Sequence, residues 1–229
     1  MANLQSTNVT GTLCVNGTAL GGGKDFRFCC FTNSTSWAPP STLVGGYGTV
    51  SSLLVGGGAG GCAQCGQSGG GGGAVCSFFH EMNSTSNCSV SIGSGGGNNS
   101  TGGSTTFAGK CASGGHTGNG HNPGKDFGAG GGAGGHAITN CPNADFWTCL
   151  GNGNAGVEGQ YNTAAGQGAI NMYGAGGSGG DGDSKPAAGG GRGVCNSTGG
   201  NATACGGGGG GGTTGGSGGK GLVIINWAE

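Results

Sequence analysis

The residues in this chain best suited to chemistry are its twelve cysteines and four histidines. Cys62-x-x-Cys65 followed by Cys76 and His80 has the ligand types and pair spacing of a tetrahedral zinc site. Against that reading, the intervening loop is mostly glycine and would be ordered by the metal alone, and a chain with so many cysteines contains such pairs by accident. We therefore expect no metal and no cofactor. Cysteines also bracket three segments: Cys76 to Cys88, Cys141 to Cys149, and Cys195 to Cys205. A bridge across each would staple a loop, worth about 3 kcal/mol through the entropy of the unfolded chain. Spacing alone does not fix connectivity, so these pairings stand as an expectation.

Other chemistry finds less material. The eight carboxylates are scattered, and Asp181-Gly-Asp183 lacks the distal glutamate of a calcium loop. No nucleophile, base and orienting acid stand out, so an enzyme is not expected. Gly219-Lys220-Gly221 lacks the Ser or Thr that a phosphate-binding loop uses to hold magnesium. His116, His121 and His136 sit in glycine-rich stretches and read as solvated or loop-packing residues. The bracketed segments do offer recognition chemistry, because Phe78, Phe79 and His80 in one, and Asp145, Phe146 and Trp147 in another, stand among Ser, Asn and Gly. Rigid aromatics beside adaptable polar groups give contact area at small entropic cost. Together with Tyr161 these are the candidate contact residues. Trp147, Tyr161 and His80 are expected to be exposed, whereas Phe78 and Phe146 suit equally well a role covering the side of the protein or an oligomer seam.

What positions these segments is glycine, 67 of 229 residues. Leu, Ile, Val and Phe together make up only about 14% of the chain, too little for an ordinary core. The net charge of −1 is also unlike that of most disordered chains. A run such as Gly206 to Gly212 gains nothing from helix or strand propensity. Its alternative is an extended threefold helix without internal hydrogen bonds, which survives only by bonding laterally to others like it. The blocks Gly56 to Gly73, Gly93 to Gly97, Gly128 to Gly135, Gly174 to Gly180 and Gly189 to Gly193 are the expected partners. Seven Lys plus Arg leave no basic footprint for nucleic acid. With no apolar run of membrane-spanning length and no secretory leader, the chain is expected to be soluble.

The expected fold is therefore irregular and all-β, with packed polyglycine II helices, short strands and almost no α-helix. Residues 1–23 read as a β-rich attachment or oligomerisation segment, with Asn16-Gly17 as a hairpin turn, and residues 24–229 as the glycine-rich domain. Expected strands are Phe26 to Phe31, ended by Trp37-Ala-Pro-Pro40, then Thr49 to Val55, Val90 to Ile92, Ala169 to Tyr173 and Leu222 to Trp227.

The order Trp37…Pro-Pro, Leu53-Leu-Val-Gly-Gly-Gly-Ala-Gly-Gly, Ser89-Val-Ser-Ile-Gly-Ser-Gly-Gly-Gly, Ser104-Thr-Thr-Phe, Tyr173-Gly-Ala-Gly-Gly-Ser-Gly-Gly-Asp-Gly and Gly218-Gly-Lys-Gly-Leu-Val-Ile-Ile-Asn-Trp resembles the glycine-rich domain of tailed-phage tail-fibre proteins and adhesins. The resemblance spans about Trp37 to Trp227 and departs in its high cysteine count. It implies a virion-surface structural protein, assembled in the host cytoplasm, whose polyglycine helices carry loops that touch a host receptor. The partners implied are a host cell-surface receptor, other virion proteins through the N-terminal segment, and further copies of the chain, as a homotrimer. Two other readings stay open: a capsid decoration or head-fibre protein, and a secreted glycine-rich structural protein.

Overall fold

The computed structural model describes residues 26–44, 48–62, 69–117, 189–194 and 197–228, together with the backbone of three short strands at 14–15, 18–19 and 147–151. Eleven strands are present among them: β1 (Cys14–Val15), β2 (Thr18–Ala19), β3 (Phe26–Phe31), β4 (Thr35–Trp37), β5 (Thr49–Val55), β6 (Val75–Glu81), β7 (Cys88–Ser91), β8 (Thr105–Phe107), β9 (Lys110–Ala112), β10 (Trp147–Gly151) and β11 (Leu222–Ala228). The one helix described, α1 (Ser41–Val44), is a single turn that follows Pro39-Pro40. Among the described residues the chain is thus mostly β with almost no helix, as its composition led us to expect.

β1 and β2 pair antiparallel on either side of Asn16-Gly17, placing Cys14 opposite Ala19 and Val15 opposite Thr18. The expected strands at 26–31, 49–55 and 222–227, the last extending one residue further to Ala228, lie together in a five-stranded antiparallel sheet of order β10-β6-β5-β11-β3. The closing strand β11 runs between β5 and β3, so the last segment of the chain is central. A four-stranded sheet has the order β4-β7-β8-β9. Its β8–β9 hairpin turns at Ala108 (φ 47°) and Gly109 (φ 75°), the pair of positive φ values that a tight two-residue hairpin needs. The expected strand at 169–173 lies outside the described residues.

Strand periodicity then builds the core. Side chains alternate across a sheet, so β5 turns Val50, Ser52 and Leu54 to one side, β6 turns Cys76, Phe78 and His80, and β11 turns Val223, Ile225 and Trp227. These apolar residues pack with Trp37, Leu43, Val90, Phe107 and Ala112 in one cluster between the two sheets. Trp37 anchors it, with ring centroids 5.9 Å from Phe107 and 5.5 Å from Trp227. A smaller cluster of Val55, Val75 and Leu222 lies on the other face of the large sheet, with Cys30, Leu53, Ile224 and Cys205 packed on it.

The described glycine segments form a lattice with threefold hydrogen bonding, while the expected partners Gly128 to Gly135 and Gly174 to Gly180 lie outside the described residues. Gly56 and Ala59 donate to Ala74 and Gly71, Gly57 and Gly60 donate to Gly103 and Ser100, and Gly58 and Gly61 donate to Gly219 and Gly216. Each third residue therefore addresses the same neighbour, as a helix of three residues per turn requires. The carbonyls of Gly57, Gly58 and Ala59 accept from Gly115, Gly96 and Gly209. Residues 56–61 thus lie at the centre of six neighbouring segments, three of them receiving their N–H groups and three reaching their carbonyls. The seven-glycine run obeys the same rule: the carbonyls of Gly206 and Gly209 accept from Gly73 and Gly70, those of Gly207 and Gly210 from Gly219 and Gly216, and those of Gly208 and Gly211 from Gly191 and Val194.

Through residues 56–61 glycine is required by this spacing rather than by dihedral freedom, whereas Gly189 (φ 89°) and Gly206 (φ 71°) also need a positive φ. A Cβ on Gly58 would be driven into the carbonyl of Gly207, and one on Gly61 into that of Gly210. At Ala59 a methyl group is accommodated with no exposure. Polar side chains finish bonds where glycine segments stop: Asn98 Oδ1 accepts from Gly215 N at 2.9 Å, Asn201 Oδ1 from Ser217 N at 2.8 Å, and Thr105 Oγ1 from Gly93 N at 3.0 Å. The last of these joins β8 to the lattice.

Candidate functional site

The bracketed segment from Cys76 to Cys88 is not a stapled loop. Its first half is β6, which pairs along its length with β5, and Val75-Cys-Ser-Phe-Phe-His-Glu81 has the alternation that a two-sided strand needs. Alternation separates the aromatic candidates. Phe78 (3% exposed) and His80 (9%) face the core, while Phe79 is 64% exposed on the opposite face. The expectation that His80 would be exposed is therefore corrected, and Phe78 packs in the core between the sheets rather than serving as a contact residue or covering an outer side or seam. Of Trp147 only the strand backbone is described, opposite Phe78 in β10. Asp145, Phe146 and Tyr161 lie outside the described residues.

A cleft of about 500 Å³ opens between the end of β6, the loop that follows it, and the β8–β9 hairpin. Phe79, Glu81, Asn83, Asn87 and Lys110 give it an aromatic surface, amides and charges of both signs. Among the described residues β10 pairs with β6 from Val75 to Phe78, and the residues of β6 beyond Phe78 line this cleft. The loop is tied at its start, where Met82 N donates to Gly48 O at 3.0 Å. At its tip Ser86 N donates to Ser84 Oγ at 3.0 Å and Ser84 Oγ donates to Ser86 Oγ at 2.8 Å, a local hydroxyl turn that shapes an exposed segment.

Beneath the cleft His80 Nε2 lies 2.9 Å from Ser52 Oγ. The two are diagonal neighbours, since Ser52 stands opposite Phe78 and His80 opposite Val50. The Phe107 ring meets the imidazole edge-on at 5.4 Å. Burial, with a smaller contribution from the positive charge of Lys110, lowers the His80 pKa to about 4, so the imidazole is neutral at pH 7. A serine bonded to a neutral histidine has the elements of a nucleophile and its base. Ser52, however, has no exposure, so no substrate atom reaches its hydroxyl. The pair satisfies two polar groups inside the sandwich core. Sequence reading missed it because Ser52 and His80 are 28 positions apart and meet only through strand register.

The cysteine expectations fare differently at each pair. Cys88 carries a free thiol, so the Cys76–Cys88 bridge is not present, and Cys205 is likewise free, with its expected partner Cys195 outside the described residues. The physical reason for the first is the strand: β6 carries Cys76 into the core, while Cys88 lies in the other sheet. Register places Cys76 opposite Cys149, so residues from two different brackets are strand neighbours. Cys141 and Cys195 lie outside the described residues. Among the described residues no three His, Cys, Asp or Glu side chains form a metal-binding group, so Cys62, Cys76 and His80 are not brought together, and Cys65 is outside them. The backbone of the Gly219-Lys220-Gly221 segment is engaged in the lattice through Gly219 N→Gly207 O and Gly221 N→Gly93 O.

Compared with known families, residues 31–228 match the model of a glycine-rich domain. The chain belongs to this glycine-rich domain family. The match begins a few residues before the stretch expected from the sequence and ends one residue after it. It takes in the four-stranded sheet, the described lattice segments and every strand of the five-stranded sheet except β3, of which it includes only Phe31. A search of curated proteins finds no match. Among the described residues no helix is long and apolar enough to cross a membrane.

Proposed function

We propose that this glycine-rich domain is a surface-attachment component of a virus particle, of the tail-fibre or adhesin kind, which presents the cleft around Phe79 to a host receptor. The observation that carries the reading is Phe79 itself: a large apolar ring, 64% exposed, standing beside Asn83, Ser84, Ser86 and Asn87 over a cleft. An exposed aromatic of this size among polar neighbours is the usual anchor of a recognition surface. The two elements behind it are well fixed, because the sandwich holds β6 and the lattice leaves its segments little room to shift. Attachment then needs only modest affinity per copy, since several copies on one particle, for instance as homotrimers, raise avidity by orders of magnitude. The N-terminal segment is the part we assign to joining other virion proteins.

The test is adsorption of the purified, labelled chain to a panel of intact bacterial cells. Binding to a subset of strains that falls at least tenfold in Phe79→Ala, with unchanged thermal unfolding, supports the reading. Binding to no cells but to virus capsids would replace it with capsid decoration.

A further inference from the structure

β3 carries two adjacent cysteines, and the strand sends them to opposite faces. Cys29 joins the core between the sheets, packed on the cluster that contains Trp37 and Trp227. Cys30 stands opposite Ile224 in β11 and looks the other way, onto Val55, Val75 and Leu222. The same three residues receive Cys205, which arrives from the lattice immediately before the seven-glycine run. Two free, partly exposed thiols from segments 175 positions apart therefore share one small apolar patch.

We propose that Cys30 and Cys205 form a disulfide that clamps the glycine lattice to the five-stranded sheet. The oxidant is a low-molecular-weight disulfide such as oxidised glutathione. The thiolate of one cysteine attacks a sulfur of the oxidant and releases one glutathione thiol; the second cysteine then displaces the other, so two protein thiols are oxidised while one disulfide is reduced to two thiols. Among the described cysteines, Cys29 lies across the sheet from Cys205, and a vicinal Cys29–Cys30 bridge would break the strand that holds both. Burial raises the Cys205 thiol above its ordinary range, and charge on Cys30 raises it further; burial also raises Cys30. Both are therefore mostly protonated at neutral pH, and closure is slow there and faster at mildly alkaline pH. A chain made under reducing conditions would remain open and lock after release into an oxidising medium.

The experiment incubates the full chain with oxidised glutathione at mildly alkaline pH, blocks remaining thiols by alkylation, and maps disulfides by chymotryptic digestion with fragmentation. The expected result is a fragment joining Cys30 to Cys205, lost in Cys205→Ser and retained in Cys29→Ser. Oxidised wild type should also unfold at a higher denaturant concentration than reduced, with the difference much reduced in Cys205→Ser. Alkylation of both residues after prolonged oxidation, stable glutathione adducts on either, or Cys205 joined to any other cysteine would overturn the proposal. The wild-type map decides the matter even if a serine variant fails to fold.

Discussion

Replacing one hydrogen atom by a methyl group at Gly58 should be among the most damaging substitutions in this protein, although it changes neither charge nor a side-chain contact. The added Cβ meets the backbone carbonyl of Gly207, flanked by that of Gly206, and a carbonyl held in a lattice cannot rotate away as a flexible side chain would. Relief requires the two segments to separate, which stretches the bonds that join them, from Gly209 N to Ala59 O at 2.8 Å and from Gly212 N to Cys62 O at 3.3 Å. Each is worth about 1 kcal/mol net, and overpacking at a site without free volume adds about 1–3 kcal/mol. Lower entropy of the unfolded alanine chain returns about 0.4–1 kcal/mol. Gly58→Ala should therefore cost about 2–4 kcal/mol, a fall in Tm of roughly 5–15 °C for a domain of this size. Gly97→Ala is the internal control, because a Cβ there has nothing within 4 Å, and its effect should lie within about 0.5 kcal/mol. The assay is calorimetric unfolding of both variants beside wild type. Equal melting temperatures for the two would refute the close-packing argument.

Three further outcomes follow from the sandwich. His80 is held neutral at a pKa of about 4 against an ordinary 6.5, so the unfolded chain binds more protons between these values; stability is complete above pH 6.5 and falls by up to about 3 kcal/mol as pH drops to 4. Denaturant titrations across that range should show the slope, and His80→Gln should flatten it. Trp37→Ala removes a ring packed on Phe107 and Trp227 and should cost about 3–5 kcal/mol in the same measurement. Phe79→Ala, at a position 64% exposed, should leave unfolding within about 0.5 kcal/mol of wild type, which suits it to the adsorption test.

The sequence carried the lattice and the sheet strands more clearly than it carried the site. Gly206 to Gly212 has only one way to satisfy its backbone, and Leu222 to Trp227 is apolar enough to identify a strand without knowing its partners. Which glycine segments touch was not legible, because glycines are interchangeable in pattern; the neighbours of residues 56–61 are chosen by where the intervening strands and turns deliver them. The site was misread for a related reason. Val75 to Glu81 carries the first cysteine of the Cys76–Cys88 bracket and runs into Ser- and Asn-rich residues, and that framing suggested a loop, whereas its own alternation of Cys76, Phe78 and His80 with Ser77, Phe79 and Glu81 marks a strand. That alternation, applied early, separates Phe79 from its two buried neighbours. The Ser52–His80 pair depends on register and had no local signal.

The account rests on the claim that residues 56–61 are a threefold helix bonded to six others. Scalar couplings transmitted through hydrogen bonds report such pairs directly in solution, by long-range amide-to-carbonyl NMR correlations. We predict correlations from the amides of Gly56, Gly57, Gly58, Ala59, Gly60 and Gly61 to the carbonyls of Ala74, Gly103, Gly219, Gly71, Ser100 and Gly216 respectively. Correlations to a single neighbouring segment, as in an ordinary sheet, or amides that exchange with water at random-coil rates, would contradict it.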